Sequence, residues 1–169
     1  VMNDIEEKKT YLKQVKRIGT LGVTQLDYDI AVDKGLYYYQ GNDFASEIVY
    51  SIRRMTEPAK EHVDNHFRPL NEAQKNDISQ ITDAIQIFLN HCSEMIANND
   101  YHRMTDLITD SIILSTNLTS LKKTELKRIQ GQEHGTKVSM VYLNMLQEAQ
   151  NVVSFTANLL KVSRKFQME

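Results

Sequence analysis

The chain has 169 residues, 41% hydrophobic and 25% charged, with a formal charge of −2 and a pI near 6.2. That length suffices for one domain that buries most of its apolar surface without disulfides or metal. The near-neutral balance gives no electrostatic reason to expect nucleic acid as a partner, and the scarcity of glycine and proline favours long helices over short strands.

Asn3 or Asp4 can cap a first helix, with Glu6 and Glu7 suited to its first turn. Ile5, Leu12, Val15, Leu26 and Ile30 continue a helical stripe, with Gly19 and Gly22 on the same face. Glycines on a seam cost about 1 kcal/mol each against alanine, a cost offset where another helix approaches closely. The pattern predicts one helix to about Tyr38, then a turn at Gly41, Asn42 and Asp43, with Asp43 capping the second helix. Phe44, Ile48, Ile52, Met55, Ala59 and Val63 line that helix. Pro58 should kink or divide it, and Pro69 should end the segment.

Asn71 and Gln74 have the spacing of a capping box at the start of a third helix. Its row of Ile78, Ile81, Ile85, Phe88, Cys92 and Met95 is the clearest short-range signal in the chain. Asn98, Asn99 and Asp100 close it and offer a cap to a fourth helix, which carries Met104, Leu107, Ile108, Leu114, Leu118 and Leu121 toward Ile129. Gly131 and Gly135 bracket a polar loop, after which Thr136 caps the last helix.

Over 137–166, Val138, Tyr142, Met145, Ala149, Val152, Thr156, Leu159, Ser163 and Phe166 recur at alternating steps of four and three. Val141, Leu146, Val153 and Leu160 widen this seam, so the helix should pack against more than one partner. Short loops between long helices imply antiparallel neighbours. The expected architecture is a single all-α domain over 1–169, an antiparallel up-and-down helical bundle.

Candidates for chemistry are few. Cys92 is the only cysteine and lies in an apolar row, which favours core packing over a catalytic thiol. His62 and His66, four apart with Glu61 and Asp64 nearby, could direct two imidazoles to one metal. Their place at a helix end before Pro69 favours satisfaction of terminal carbonyls instead. Asp106 and Asp110 share the same spacing without supporting acids, and His91, His102 and His134 occur singly. No Gly-rich phosphate loop, Ser-His-Asp arrangement or pair of Glu-x-x-His motifs is present, so neither catalysis nor a cofactor or metal is expected. The basic residues Lys122, Lys123, Lys127 and Arg128, then Lys161, Arg164 and Lys165, read as solvated faces. Tyr37, Tyr38 and Tyr39 precede a glycine and cannot all face one core, so at least one ring should be exposed or meet another chain.

An internal echo links 14–26 (QVKRIGTLGVTQL) with 148–160 (EAQNVVSFTANLL). Both stretches are similar to the helix that ends each repeat of PhoU-like phosphate-transport proteins. Lys16, Arg17, Ile18, Gly19 and Thr20 keep the Arg-Ile-Gly centre of that pattern, and 150–159 keeps its apolar frame and asparagine. The stretch 61–70 (EHVDNHFRPL) resembles a segment in the soluble PhoU-like tails of bacterial inorganic phosphate transporters. Members of that family bind metal clusters through carboxylates four residues apart. Here those positions are Lys16 and Thr20, then Gln150 and Ser154, so the resemblance does not bring the metal site with it.

The resemblance implies a cytoplasmic regulatory domain, attached to the inner membrane through a transporter domain absent from this chain. Its implied partners are that membrane domain or a phosphate-signalling protein. The opening Val-Met-Asn is compatible with a piece of a larger protein. The surface expected to make the contact comprises Tyr37, Tyr38, Tyr39 and Asp43, with Glu61, His62, Asp64, His66 and Arg68. The alternative is a free-standing bundle acting as an adaptor or forming a homodimer through an aromatic or heptad seam.

Overall fold

Residues 2–23, 28–131 and 136–168 are described by a computed structural model. They form five helices, α1 (Met2–Val23), α2 (Tyr28–Asp64), α3 (Glu72–Asn98), α4 (Met104–Gln130) and α5 (Thr136–Met168), with no strand among the described residues. The chain is an all-α helical bundle. Helix α5 is its centre, with α2, α3 and α4 all lying against it.

The reason is the double row read from the sequence. Val138, Tyr142, Ala149, Val152 and Thr156 of the first row are buried, as are Leu146, Val153 and Leu160 of the second. Burying each such aliphatic side chain stabilises the fold by about 1.5–3 kcal/mol. One core cluster joins Phe88, Cys92 and Met95 of α3 to Leu107 of α4 and Val153, Ala157 and Leu160 of α5. The other places Leu118 against Tyr142, Leu146 and Ala149, flanked by Met55, Ile78 and Ile81.

Side-chain pairs give the directions of neighbouring helices. Along α2, Lys34 meets Phe166, Phe44 stacks on Phe155 and Arg54 pairs with Glu148, so α2 and α5 run in opposite senses. Helices α1 and α2 are also opposed, because Glu6 pairs with Arg53 while Lys16 pairs with Asp43.

Those pairs correct the expectation of a single first helix to Tyr38. Helix α1 ends at Val23, and 28–64 is a second helix that returns along it. Leu26 and the side chain of Ile30, two members of the expected stripe, lie outside the described residues, as do His134 and Gly135. The expected turn at Gly41 to Asp43 is corrected too, since all three residues are inside α2. Gly41 faces α5, where an added Cβ would sit 3.7 Å from Leu159 Cδ1. Asn42 donates to the Tyr38 carbonyl of its own helix, and Asp43 pairs with Lys16 instead of capping. Pro58 does not divide α2, which runs on to Asp64; one lost backbone donor is tolerated in a helix held on two sides by α1 and α5.

The local signals at α3 are present as read. Asn71 accepts from the Gln74 backbone at 2.8 Å and Gln74 Oε1 accepts from the Asn71 backbone at 3.0 Å, a complete capping box. Asn99 ends the helix in the left-handed conformation, φ 52°. Asp100 does not cap α4, whose N-cap is Arg103 without a side-chain bond; its carboxylate turns to His102.

Candidate functional site

The tyrosine cluster serves two internal interfaces. Tyr38 turns to α1 and donates to the Val15 carbonyl at 2.6 Å. Its ring fills the space left by Gly19, where an added Cβ would lie 1.8 Å from Tyr38 Cζ. Tyr39 lies edge-on to Tyr38, has its hydroxyl 3.2 Å from Thr20 Oγ1 and has Lys16 Nζ 5.9 Å from its ring centroid. It remains 40% exposed. Tyr37 turns the other way, with Lys165 Nζ 5.6 Å from its ring. Lys16 Nζ also reaches Asp43 Oδ1 at 2.6 Å. A groove of about 360 Å³ between α1 and α2 is lined by Lys9, Lys13, Lys16, Asp43, Glu47 and Tyr50.

The second expected stretch closes the C-terminus of α2. His62 is buried against Phe67, and its Nε2 lies 2.7 Å from the Arg68 carbonyl. A carbonyl only accepts, so Nε2 carries the proton there. His66, at φ 54°, places Nδ1 3.0 Å from the Asp64 carbonyl. The Glu61 carbonyl accepts from Asn65, and the Asp64 carboxylate pairs with Lys60. Lys137 at the start of α5 sits 4.0 Å from the Phe67 ring centroid. Both imidazoles thus engage carbonyls, the arrangement favoured from the sequence. The two stretches are not one site, because about 30 Å of α2 separates them.

Elsewhere, polar groups are committed inside the bundle. Glu125 is fully buried and accepts from Gln74 Nε2 at 2.9 Å and Arg128 Nη1 at 3.3 Å. Tyr142 donates to Asp77 at 2.8 Å, and its pKa is raised first by burial and then by that carboxylate. Cys92 is buried, and desolvation, with a smaller push from Asp110, raises its thiol to about 12, so it is neither a thiolate nucleophile nor a ready metal ligand. The carboxyl of Asp100 is held below its ordinary value by the His102 hydrogen bond. Asp106 pairs with Arg103, three residues away on the surface.

The positions that would hold family carboxylates are also engaged. Thr20 donates to the Lys16 carbonyl, and its Oγ1 lies 3.2 Å from the Tyr39 hydroxyl. Gln150 donates to Ser115 and Thr119 of α4 and accepts from Lys122, whose pKa burial lowers. Among the described residues helix α1 touches α2 alone, so the two echoing stretches are not brought together. Among the described residues no group of three or more His, Cys, Asp or Glu is placed to hold a metal ion. No described helix is long and apolar enough to cross a membrane.

Sequence reasoning missed the outer face of α1. Tyr11, Ile18 and Leu21 are 62%, 69% and 61% exposed, and with Glu7 and Gln14 they recur at steps of four and three. This is a second heptad stripe, turned away from α2. The residues converge on no chemistry; what they offer is a surface. Comparison with protein-family models, with curated proteins and with solved structures gives no match.

Proposed function

We propose that this chain is a non-catalytic interaction module that docks through the outer face of α1, and that it serves as the cytosolic regulatory domain of a bacterial inorganic phosphate transporter. The observation that carries the docking reading is the exposed row of Tyr11, Ile18 and Leu21 on a helix that, among the described helices, packs on α2 alone. A helix bound on one side can meet a partner without disturbing the core around α5. The transporter assignment rests on the likeness of 16–20, 61–70 and 150–159 to PhoU-like domains, whose up-and-down helical arrangement we also read here. In this reading the α1 face meets the membrane domain of the same transporter. It regulates uptake by binding one transport state more tightly than the other, since a partner shifts such an equilibrium only by its differential affinity.

The test is phosphate uptake in cells whose transporter carries Ile18→Asp and Leu21→Asp, with the circular dichroism of the purified variant checked against the parent. Altered uptake, or an altered response to external phosphate, is expected with helicity unchanged. Unchanged uptake and response would remove the transporter assignment.

A homodimer is a second reading that the same stripe supports. Its steps of four and three suit a helix pair, and antiparallel pairing of two α1 helices about Gln14 brings Tyr11 of one copy toward Ile18 of the other. A sedimentation mass twice that of the chain, reduced to one chain by Ile18→Asp, is its signature.

A further inference from the structure

The end of the bundle opposite His62 carries a feature that the docking face of α1 does not use. Where α2, α4 and α5 meet, Phe44, Met104, Val162 and Met168 line a cleft of about 720 Å³, within the range of ligand-binding sites. Its remaining wall includes Lys161, Arg164 and Lys165, and among the described residues no carboxylate lines it. The molecule as a whole is acidic at −2, so three cations here are a local excess. Lys165 approaches the Tyr37 ring, and none of the three cations pairs with a described carboxylate. Lys34 adds a fourth cation at this end, over the Phe166 ring at 5.7 Å.

The cleft is also long. Asn158 and Lys161 belong equally to a neighbouring trough between α4 and α5, floored by Ser115, Thr119, Gln150 and Ser154. From Gln150 to Met168 the two hollows follow α5 for about 27 Å at the helical rise. One half is hydroxyl- and amide-lined; the other is apolar with a cationic rim. Lys161 and Lys165 stand one turn apart, as do acids placed four residues apart on a facing helix. A single lipid headgroup would use the cations and leave the trough empty, and a flat bilayer would not enter it. We infer that this trough takes an amphipathic helix of a protein partner, with an acidic, apolar half beside Lys161 and Lys165 and a polar half over Ser115 and Gln150. Such docking reads as apolar anchors in a groove with charge fixing the register.

The probe is a fluorescent synthetic helix of about 18 residues. Its acidic half carries Glu at i and i+4 with Leu on the adjoining stripe, and its other half is Gln- and Ser-rich. Anisotropy should show saturable micromolar binding that Lys161→Glu with Lys165→Glu weakens at least about tenfold. The same variant should bind a probe with every Glu replaced by Lys, which the parent protein rejects. Circular dichroism of the variant must match the parent, and Ile18→Asp should leave binding unchanged, which separates this trough from the α1 face. The inference is overturned by absence of binding at millimolar probe, by equal binding of the Lys probe to the parent, or by indifference to the double charge reversal. Binding to anionic phosphatidylglycerol vesicles without binding to the helix would also overturn it, assigning the cations to a lipid surface.

Discussion

Replacing Gly19 tests how α1 is held. Alanine is the better helix former by about 1 kcal/mol, so Gly19→Ala would stabilise an isolated α1. In the folded chain the new methyl would lie 1.8 Å from both Cζ and Oη of Tyr38 and 2.4 Å from Cε1. Either the ring swings out and gives up its 2.6 Å bond to Val15, or α1 lifts from α2. Overpacking of this kind costs about 1–3 kcal/mol, and the lost hydrogen bond about 1 more. After the propensity gain, docking of α1 should weaken by about 1–3 kcal/mol. Because α1 touches α2 alone among the described helices, the loss should appear as local opening. Hydrogen exchange should quicken in peptides from 2–23 and stay unchanged in α3 and α5. Truncating Tyr38 to alanine removes the obstacle, so Gly19→Ala should then change sign and become stabilising, a coupling of about 2–4 kcal/mol. Gly41→Ala is the control: its methyl would meet Leu159 Cδ1 at 3.7 Å and Val162 Cγ1 at 3.9 Å, ordinary contacts. It should therefore stabilise by about 0.5–1 kcal/mol. A Gly19→Ala protein whose α1 exchanges no faster than the parent's, or whose penalty is the same with and without Tyr38, would refute this account of the hairpin.

The contrast between these two glycines shows where the sequence is legible. The capping box at Asn71 and the double row of α5 could be read directly, because the partners are close in the chain and the apolar period is long. A glycine carries no such information. Gly41 looks like a turn and Gly19 like a seam, yet what decides each is a residue far along the chain, Leu159 for one and Tyr38 for the other. The break between α1 and α2 was hidden for a related reason: the apolar stripe continues through Leu26 and Ile30, with no proline to stop it. The tyrosine argument was half readable. Three successive rings do not share one core, but the consequence is division between α1 and α5, with only Tyr39 left substantially exposed. Glu125 left a trace that could have been followed, since it falls on the stripe of Leu118, Leu121 and Ile129 where a solvated acid has no place.

Three further predictions concern the interior. Asn71→Ala should cost about 1 kcal/mol in urea unfolding, since it strands the Gln74 backbone donor at the start of α3. Cys92 should resist iodoacetamide at pH 8 in the native state and label readily in urea, read by mass spectrometry; rapid native labelling would contradict its burial. Because the folded state holds this thiol protonated up to about 12, stability should fall as pH rises above the unfolded thiol's value of about 8.5. Glu125 is the sharpest case. Its carboxylate is 0% exposed and holds Gln74 Nε2 on one oxygen and Arg128 Nη1 on the other, while Gln74 Oε1 is committed to the Asn71 backbone. Glu125→Ala leaves a buried amide and a half-buried guanidinium without their acceptor, so the expected loss is about 3–5 kcal/mol. Glu125→Gln retains one acceptor oxygen but turns a donor toward Arg128, for a smaller loss of about 1–3 kcal/mol. Adding Arg128→Leu to Glu125→Leu removes both charges and should recover much of the loss of Glu125→Leu alone, because the penalty belongs to the unpaired partner. Urea midpoints of these variants give the order directly. If Glu125→Ala cost under about 1 kcal/mol, the carboxylate would be reaching water, and α3 and α4 would not be joined through it.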